Sequence, residues 1–170
     1  MKITRYKDDN RYDDYTNHPE ILEKISFFLK KTENIISVNP FSGDNKLASI
    51  NNDINSVYNV DYHLDALDFL KELKDKSVDI IIYDPPYSAT QMMKYFDDLN
   101  IKRKLHHTRT QYWTFLKKEI TRIIKTNGHV ISIGFNSGGI GKTNGFEIEE
   151  LIIINNKTNN DIYCVIENKI

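Results

Sequence analysis

The stretch Val78-Asp79-Ile80-Ile81-Ile82-Tyr83-Asp84-Pro85-Pro86-Tyr87 decides the fold class. Its first six residues are nearly all β-branched or apolar, as expected for a strand covered on both faces near the middle of a parallel sheet. Asp84 ends the run, and two prolines then stiffen the backbone that leaves it. Upstream, Pro19 suits the first turn of a helix, and Ile21, Leu22, Ile25, Phe28 and Leu29 recur at helical spacing to about Lys31. A short strand follows over Asn34 to Phe41, stopped by Pro40 and the turn Ser42-Gly43-Asp44-Asn45. A second apolar run, Leu47 to Ile50, ends in Asn51-Asn52-Asp53, and a third spans Val57 to His63. Asp65 then caps a helix with Leu67, Leu70 and Leu73 on one face.

Downstream of the prolines the pattern continues. A helical stretch covers Gln91 to Asp98, and a basic loop runs from Lys102 to Arg109. Thr110 to Lys125 places Trp113, Leu116, Ile120, Ile123 and Ile124 on one stripe, which predicts an amphipathic helix ending at Asn127-Gly128. His129 to Phe135 reads as a strand, a glycine-rich loop follows, and Phe146 to Ile154 and Ile162 to Ile166 close the chain as two strands. Alternating strands and helices followed by two consecutive strands predict an α/β fold: a mostly parallel sheet with an antiparallel terminal strand.

Composition narrows the function classes. A chain of 170 residues with 39% hydrophobic content buries one core, so residues 18–170 are expected to form a single domain. Residues 1–17, with Asp8, Asp9, Asp13 and Asp14 among tyrosines, read as a polar arm ordered only in part. A formal net charge of -1 gives no overall attraction to nucleic acid, so any such binding must come from a local patch. Cys164 is alone, which excludes an intramolecular disulfide and a cysteine-rich zinc site and fits a reducing cytoplasm. Neither a membrane-spanning apolar run nor a signal peptide is visible, so the expected setting is soluble and intracellular.

In open α/β sheets ligands bind beyond the carboxyl ends of the strands. Asn39-Pro40-Phe41-Ser42-Gly43, Asp53, Asp65 and Asp84-Pro85-Pro86-Tyr87 all fall just after predicted strands, and so are expected on one rim. The last of these carries the chemistry. An aromatic exocyclic amine is a poor nucleophile because its lone pair is delocalised into the ring. A catalyst must accept its two hydrogens and hold the nitrogen with its lone pair facing a methyl donor. Asp84 offers a carboxylate, the proline-fixed backbone offers the Pro85 carbonyl, and Tyr87 offers a flat surface on which an extruded base can stack. The plainer reading is a turn after a strand, since Asp and Pro both form turns.

Ser77 to Tyr87 resembles the catalytic motif of the amino-methyltransferases, above all the DNA adenine methylases, and its surroundings are similar to small methylases of phages and prophages. The resemblance extends over roughly Asn34 to Glu167 and implies a Rossmann-like class I methyltransferase fold with S-adenosylmethionine as cofactor. It implies that Asn39, Pro40, Phe41, Ser42 and Gly43 lie under the methionine part of the cofactor. Asp53 would take the ribose hydroxyls, and Asp65 with Ala66 and Leu67 would hold the adenine. Asp65 is in any case a helix cap, and the two roles are compatible. The first loop departs from the family: Asn39 stands where an acid is usual, and further glycines and a long following helix are missing.

The resemblance makes DNA the expected partner, with a base amine in RNA as the alternative substrate and a noncatalytic cofactor-binding module as the remaining one. Lys102, Arg103, Lys104 and Arg109 form the dense basic cluster of the chain, either a phosphate-binding patch or a solvated loop. No segment is left for a separate target-recognition domain, so sequence preference would come from loops, a homodimer or a partner subunit. His106 and His107 lack companions at metal-ligand spacing, so no metal is expected. Gly138-Gly139-Ile140-Gly141-Lys142-Thr143 fails as a triphosphate loop because Asn136 occupies the place of the first glycine. Residues 136–145 read instead as a mobile loop over the same strand edge, or as a plain turn.

Overall fold

A computed structural model describes residues 1–8, 10, 15–31, 34–102, 107, 111–156 and 160–170. The strands are β1 (Lys2–Lys7), β2 (Ser37–Asn39), β3 (Ile50–Asn51), β4 (Val78–Tyr83), β5 (Ile124–Gly134), β6 (Phe146–Asn155) and β7 (Ile162–Lys169). The helices are α1 (Pro19–Lys30), α2 (Ala66–Glu72), α3 (Ala89–Asp98) and α4 (Gln111–Ile123). The strands join one sheet in the order β1-β6-β7-β5-β4-β2-β3, in which β7 alone runs antiparallel to both of its neighbours. No helix among the described residues is long and apolar enough to cross a membrane.

As the isoleucine run predicts, β4 lies inside the sheet, paired with β2 on one edge and β5 on the other. Ile81 and Tyr83 pack with Leu67 and Leu70 of α2, Met92 and Phe96 of α3, and Leu116 and Ile120 of α4. Ile80 and Ile82 point the other way and pack with Ile21, Ile25 and Phe28 of α1. Full burial of such a side chain contributes roughly 1.5 to 3 kcal/mol, so β4 is firmly anchored in the sheet. Asp79 adds a polar staple: its carboxylate accepts the Ile36 N–H at 2.9 Å and the Lys125 ammonium at 2.7 and 2.8 Å. Between β2 and β3 the chain makes turns rather than a helix, as the short first loop implies. The run Val57 to His63 contributes only an isolated bridge, Asn52 with Tyr62.

Three expectations are corrected. Lys2–Lys7 is an edge strand rather than a polar arm, paired in parallel with β6 from Lys2 opposite Glu150 to Lys7 opposite Asn155. Its pattern is polar because only Thr4 and Tyr6 are even half covered. The fourth helix stops at Ile123, short of Asn127-Gly128, because Ile124 already pairs with Val78. Asn127 adopts φ 64°, and a Cβ on Gly128 would stand 2.8 Å from Ile124 Cγ1 and 3.0 Å from the Asp79 oxygen. Sheet pairing and this tight bend override a helical period that the side chains would otherwise continue.

The glycine-rich loop is the third. It leaves β5 at its carboxyl end but enters β6 at Phe146, opposite Lys169, beside the place where β5 begins. It therefore runs along the face of the sheet instead of lying over the rim, and Ile140 joins the core there. Glu167, fully buried, accepts the N–H groups of Ile140 at 2.6 Å and Gly141 at 2.9 Å. Gly139, at φ +48°, leaves room for that carboxylate, into which any Cβ would run. Burial pushes the Glu167 carboxyl above its ordinary value, against the opposing pull of the two N–H groups. Glu167→Ala would leave both donors buried and unpaired at a cost of about 1 to 3 kcal/mol. For a chain of this size the thermal midpoint is expected to fall by several degrees. Thermal denaturation followed by circular dichroism checks this, and an unchanged midpoint would show that Glu167 does not hold the loop.

Candidate active site

The ends of β2, β3 and β4 align because Val38 pairs with both Ile50 and Ile81. This alignment brings the loop 39–43, Asp53 and Asp84 to one rim, where the sequence places them. Asn39 is fully buried; its Oδ1 accepts the Phe41 N–H at 3.2 Å and its carbonyl accepts the Asn52 N–H at 2.9 Å. Ser42 donates through both its N–H and its hydroxyl to the Asn52 carbonyl. The loop thereby closes on Asp53, whose Oδ2 accepts the Gly43 N–H at 2.9 Å. Its Oδ1 accepts the Asn55 N–H at 2.9 Å and the Tyr95 hydroxyl at 3.1 Å. Burial, and the negative charge of Asp53 beside it, push the Tyr95 phenol well above its ordinary pKa.

Asp65 is a hub. Its Oδ1 caps α2 by accepting the N–H groups of Leu67 at 3.1 Å and Asp68 at 3.4 Å. Its Oδ2 accepts the Tyr112 hydroxyl of α4 at 3.0 Å and lies 2.8 Å from His107 Nε2. The His107 ring is 1% exposed and stacks on Phe96 at 4.4 Å between centroids. Burial alone would raise the Asp65 pKa, but His107, Tyr112 and the Asp68 amide together hold it below its ordinary value.

Between these groups lies a pocket, open on one side, lined by Pro40, Phe41, Ile54, Ala66, Pro86, Met92, Tyr95, Phe96 and Tyr112, with Asp53 and Asp65 in its wall. Its walls are mainly apolar, its carboxylates are two, and Pro86 belongs to the strip Asp84-Pro85-Pro86-Tyr87. Asp84 itself sits at the end of β4. Its Oδ2 accepts the Thr16 hydroxyl at 2.8 Å and its Oδ1 accepts the Tyr87 hydroxyl at 2.7 Å. The Tyr87 ring lies against Phe135, just past β5, at 4.4 Å between centroids. Trp113 Nε1 donates to the Pro86 carbonyl at 3.2 Å, tying the strip to α4.

No protein-family model matches the sequence, and neither does any curated protein sequence. Solved structures do match in shape. The crystal structure of TrmN from Thermus thermophilus is 14% identical with a TM-score of 0.57, over 89% of this chain and 49% of that one. The crystal structure of PH0851 is 10% identical with a TM-score of 0.52, over 94% of this chain and 50% of that one. A Sulfolobus solfataricus protein provisionally described as a type 11 methyltransferase is 18% identical, over 88% and 92% of the two chains, at a TM-score of 0.45 too low to add to the argument. The chain shares with TrmN and PH0851 a Rossmann-like fold. The chain spans about half the length of TrmN and PH0851.

Of the cofactor residues named from sequence, Pro40, Phe41, Asp53, Asp65 and Ala66 line the pocket, while Asn39, Ser42 and Gly43 shape the loop behind it. Arg103, Lys104 and Arg109 lie outside the described residues; Lys102 is exposed. Tyr95, Phe96, Met92 and Tyr112 escaped the sequence reading because at helical spacing they look like ordinary core residues. His107, buried in the pocket wall, was hidden inside a basic run. Thr16 gave no signal at all.

The lowered Asp65 pKa has a defined sign. A carboxyl whose folded-state pKa lies below its unfolded value stabilises the fold above the ordinary range near 4, and that contribution is lost as pH falls through the folded value. Asp65→Asn is therefore expected to lower stability at pH 7 and to differ progressively less from the unmodified chain on acidification below about pH 4. Urea denaturation across that range checks it; a constant difference would contradict the hub.

Proposed function

We propose that this chain is an S-adenosylmethionine-dependent methyltransferase acting on the exocyclic amine of adenine in DNA. The observation that carries the reading is the junction at Pro86. An apolar pocket with two carboxylates in its wall adjoins a strand-end carboxylate on a proline-stiffened backbone.

The pocket suits the cofactor. Phe41, Ile54, Met92 and Phe96 offer apolar surface to a purine, Asp65 stands where a polar group on that ring would reach it, and Asp53 suits ribose hydroxyls. The Tyr95 hydroxyl on Asp53 is a donor that a ribose hydroxyl can replace. Asn39 Nδ2, buried without a hydrogen-bond partner among the described residues, is a donor available to the polar end of the ligand. When bound, the cofactor supplies a methyl group on a positively charged sulfur.

The protein's own part is to prepare the amine. Asp84 accepts one N–H of the target amine. Because Trp113 engages the Pro86 carbonyl, the second acceptor is the Pro85 carbonyl, on backbone that two prolines hold fixed. With both hydrogens directed away, the nitrogen lone pair is turned out of conjugation toward the methyl group. Tyr87 and Phe135 together offer aromatic surface beside Asp84 for an extruded base. The basic segment from Lys102 to Arg109, joined to the pocket through His107, is assigned to the phosphates flanking that base.

Asp84→Ala is expected to reduce methyl transfer by about 100- to 10,000-fold, the range for losing one positioned proton acceptor. Affinity for S-adenosylmethionine, measured by calorimetry, should stay within a few fold. Mass spectrometry of nucleosides from cells producing the chain should show N6-methyladenine in DNA. Methylated bases confined to RNA would move the substrate to RNA, and full activity of Asp84→Ala would defeat the mechanism.

A further inference from the structure

We infer that Thr16 is a positioning residue for Asp84, so that the segment before α1 completes the catalytic site. The inference rests on the reading of Asp84 as the amine acceptor. Thr16 is 2% exposed, and its hydroxyl donates to Asp84 Oδ2 at 2.8 Å across 68 residues of sequence. Tyr87 holds the other oxygen, so each carboxylate oxygen has one O–H donor from a different part of the chain. The carboxylate plane is thereby held from both sides.

The two supports are not equivalent. Tyr87 is three residues from Asp84 and its ring also faces Phe135, where the base is expected, so its hydroxyl sits on the substrate side. Thr16 is short, β-branched and buried, and reaches Asp84 from a backbone held independently of the strip. His18 caps α1 by accepting the Glu20 N–H through Nδ1 at 3.3 Å, and its Nε2 lies 3.1 Å from Asp8 Oδ2. Asp8 in turn donates its N–H to the Asn155 carbonyl at the end of β6. The short 3-10 turn Tyr15–Asn17 is thus held through His18, whose N–H donates to the Tyr15 carbonyl at 3.0 Å, and Thr16 keeps Asp84 aimed whether or not Tyr87 moves to admit a base.

Thr16→Val keeps the shape of the side chain and removes the donor; Thr16→Ser keeps the donor. For Thr16→Val, kcat for methyl transfer is expected to fall about tenfold to a hundredfold, the loss that accompanies one hydrogen bond to a charged group. KM for the nucleic acid, affinity for S-adenosylmethionine and thermal midpoint should stay close to those of the unmodified chain. Thr16→Ser should recover most of kcat. Unchanged kcat in Thr16→Val would overturn the role of Thr16 alone, as would a Thr16→Ser variant no better than Thr16→Val. Unmodified protein that transfers no methyl group to DNA or RNA would overturn the reading of the site, and the role of Thr16 with it.

Discussion

The pairing of β4 with β2 on one edge and β5 on the other, under helices on both faces, is the constraint from which the rest of the molecule follows. A strand held in four directions cannot shift its register without moving Ile80, Ile81 and Ile82 out of their packing. Its last residue therefore delivers Asp84 to a fixed point at the rim. The site lies where the strand order turns, between β2 and β4, the position at which a parallel sheet leaves a crevice. The loops after β2 and β4 leave Pro40, Phe41 and Pro86 facing a common hollow there.

The second organising group is Asp65. A buried carboxylate is costly unless donors surround it, and here two backbone N–H groups, a phenol and an imidazole supply them. An N-cap of this kind stabilises a helix by about 1 kcal/mol. The additional contacts do something a cap alone does not: they join the start of α2, the buried face of α4 and His107 into one wall of the pocket. His107, which the sequence places within the basic segment, is buried in that wall.

Much of this was legible in the sequence, for reasons that can be named. The β4 run was legible because burial on both faces leaves no polar alternation, and α1 and α2 because each opens on a recognisable cap or proline. Three of the four rim features stand just after strands, and Asp65 reaches the same hollow as the cap of α2, because the run Val57 to His63 forms only an isolated bridge. What escaped notice depends on distant partners. Glu167 gives no local sign that it holds the loop at Ile140 and Gly141. The end of α4 is set by Val78, a residue of another strand. His107 was obscured because it stands within a basic run although its ring is buried. Thr16 lies in a stretch whose composition reads as solvated, and only the pairing of Lys2–Lys7 with β6 explains how its neighbourhood is held.

That first strand bears on the order of assembly. Lys2 meets Glu150 and Lys7 meets Asn155, pairings that span most of the chain, and closing so long a loop is slow relative to local contacts. During synthesis the amino-terminal strand must wait for β6 to emerge. Asp84 stands at the end of β4 before then, while the strand that leads toward Thr16 is still unpaired. A chain interrupted before β6 would therefore hold Asp84 at the rim with β1 left loose.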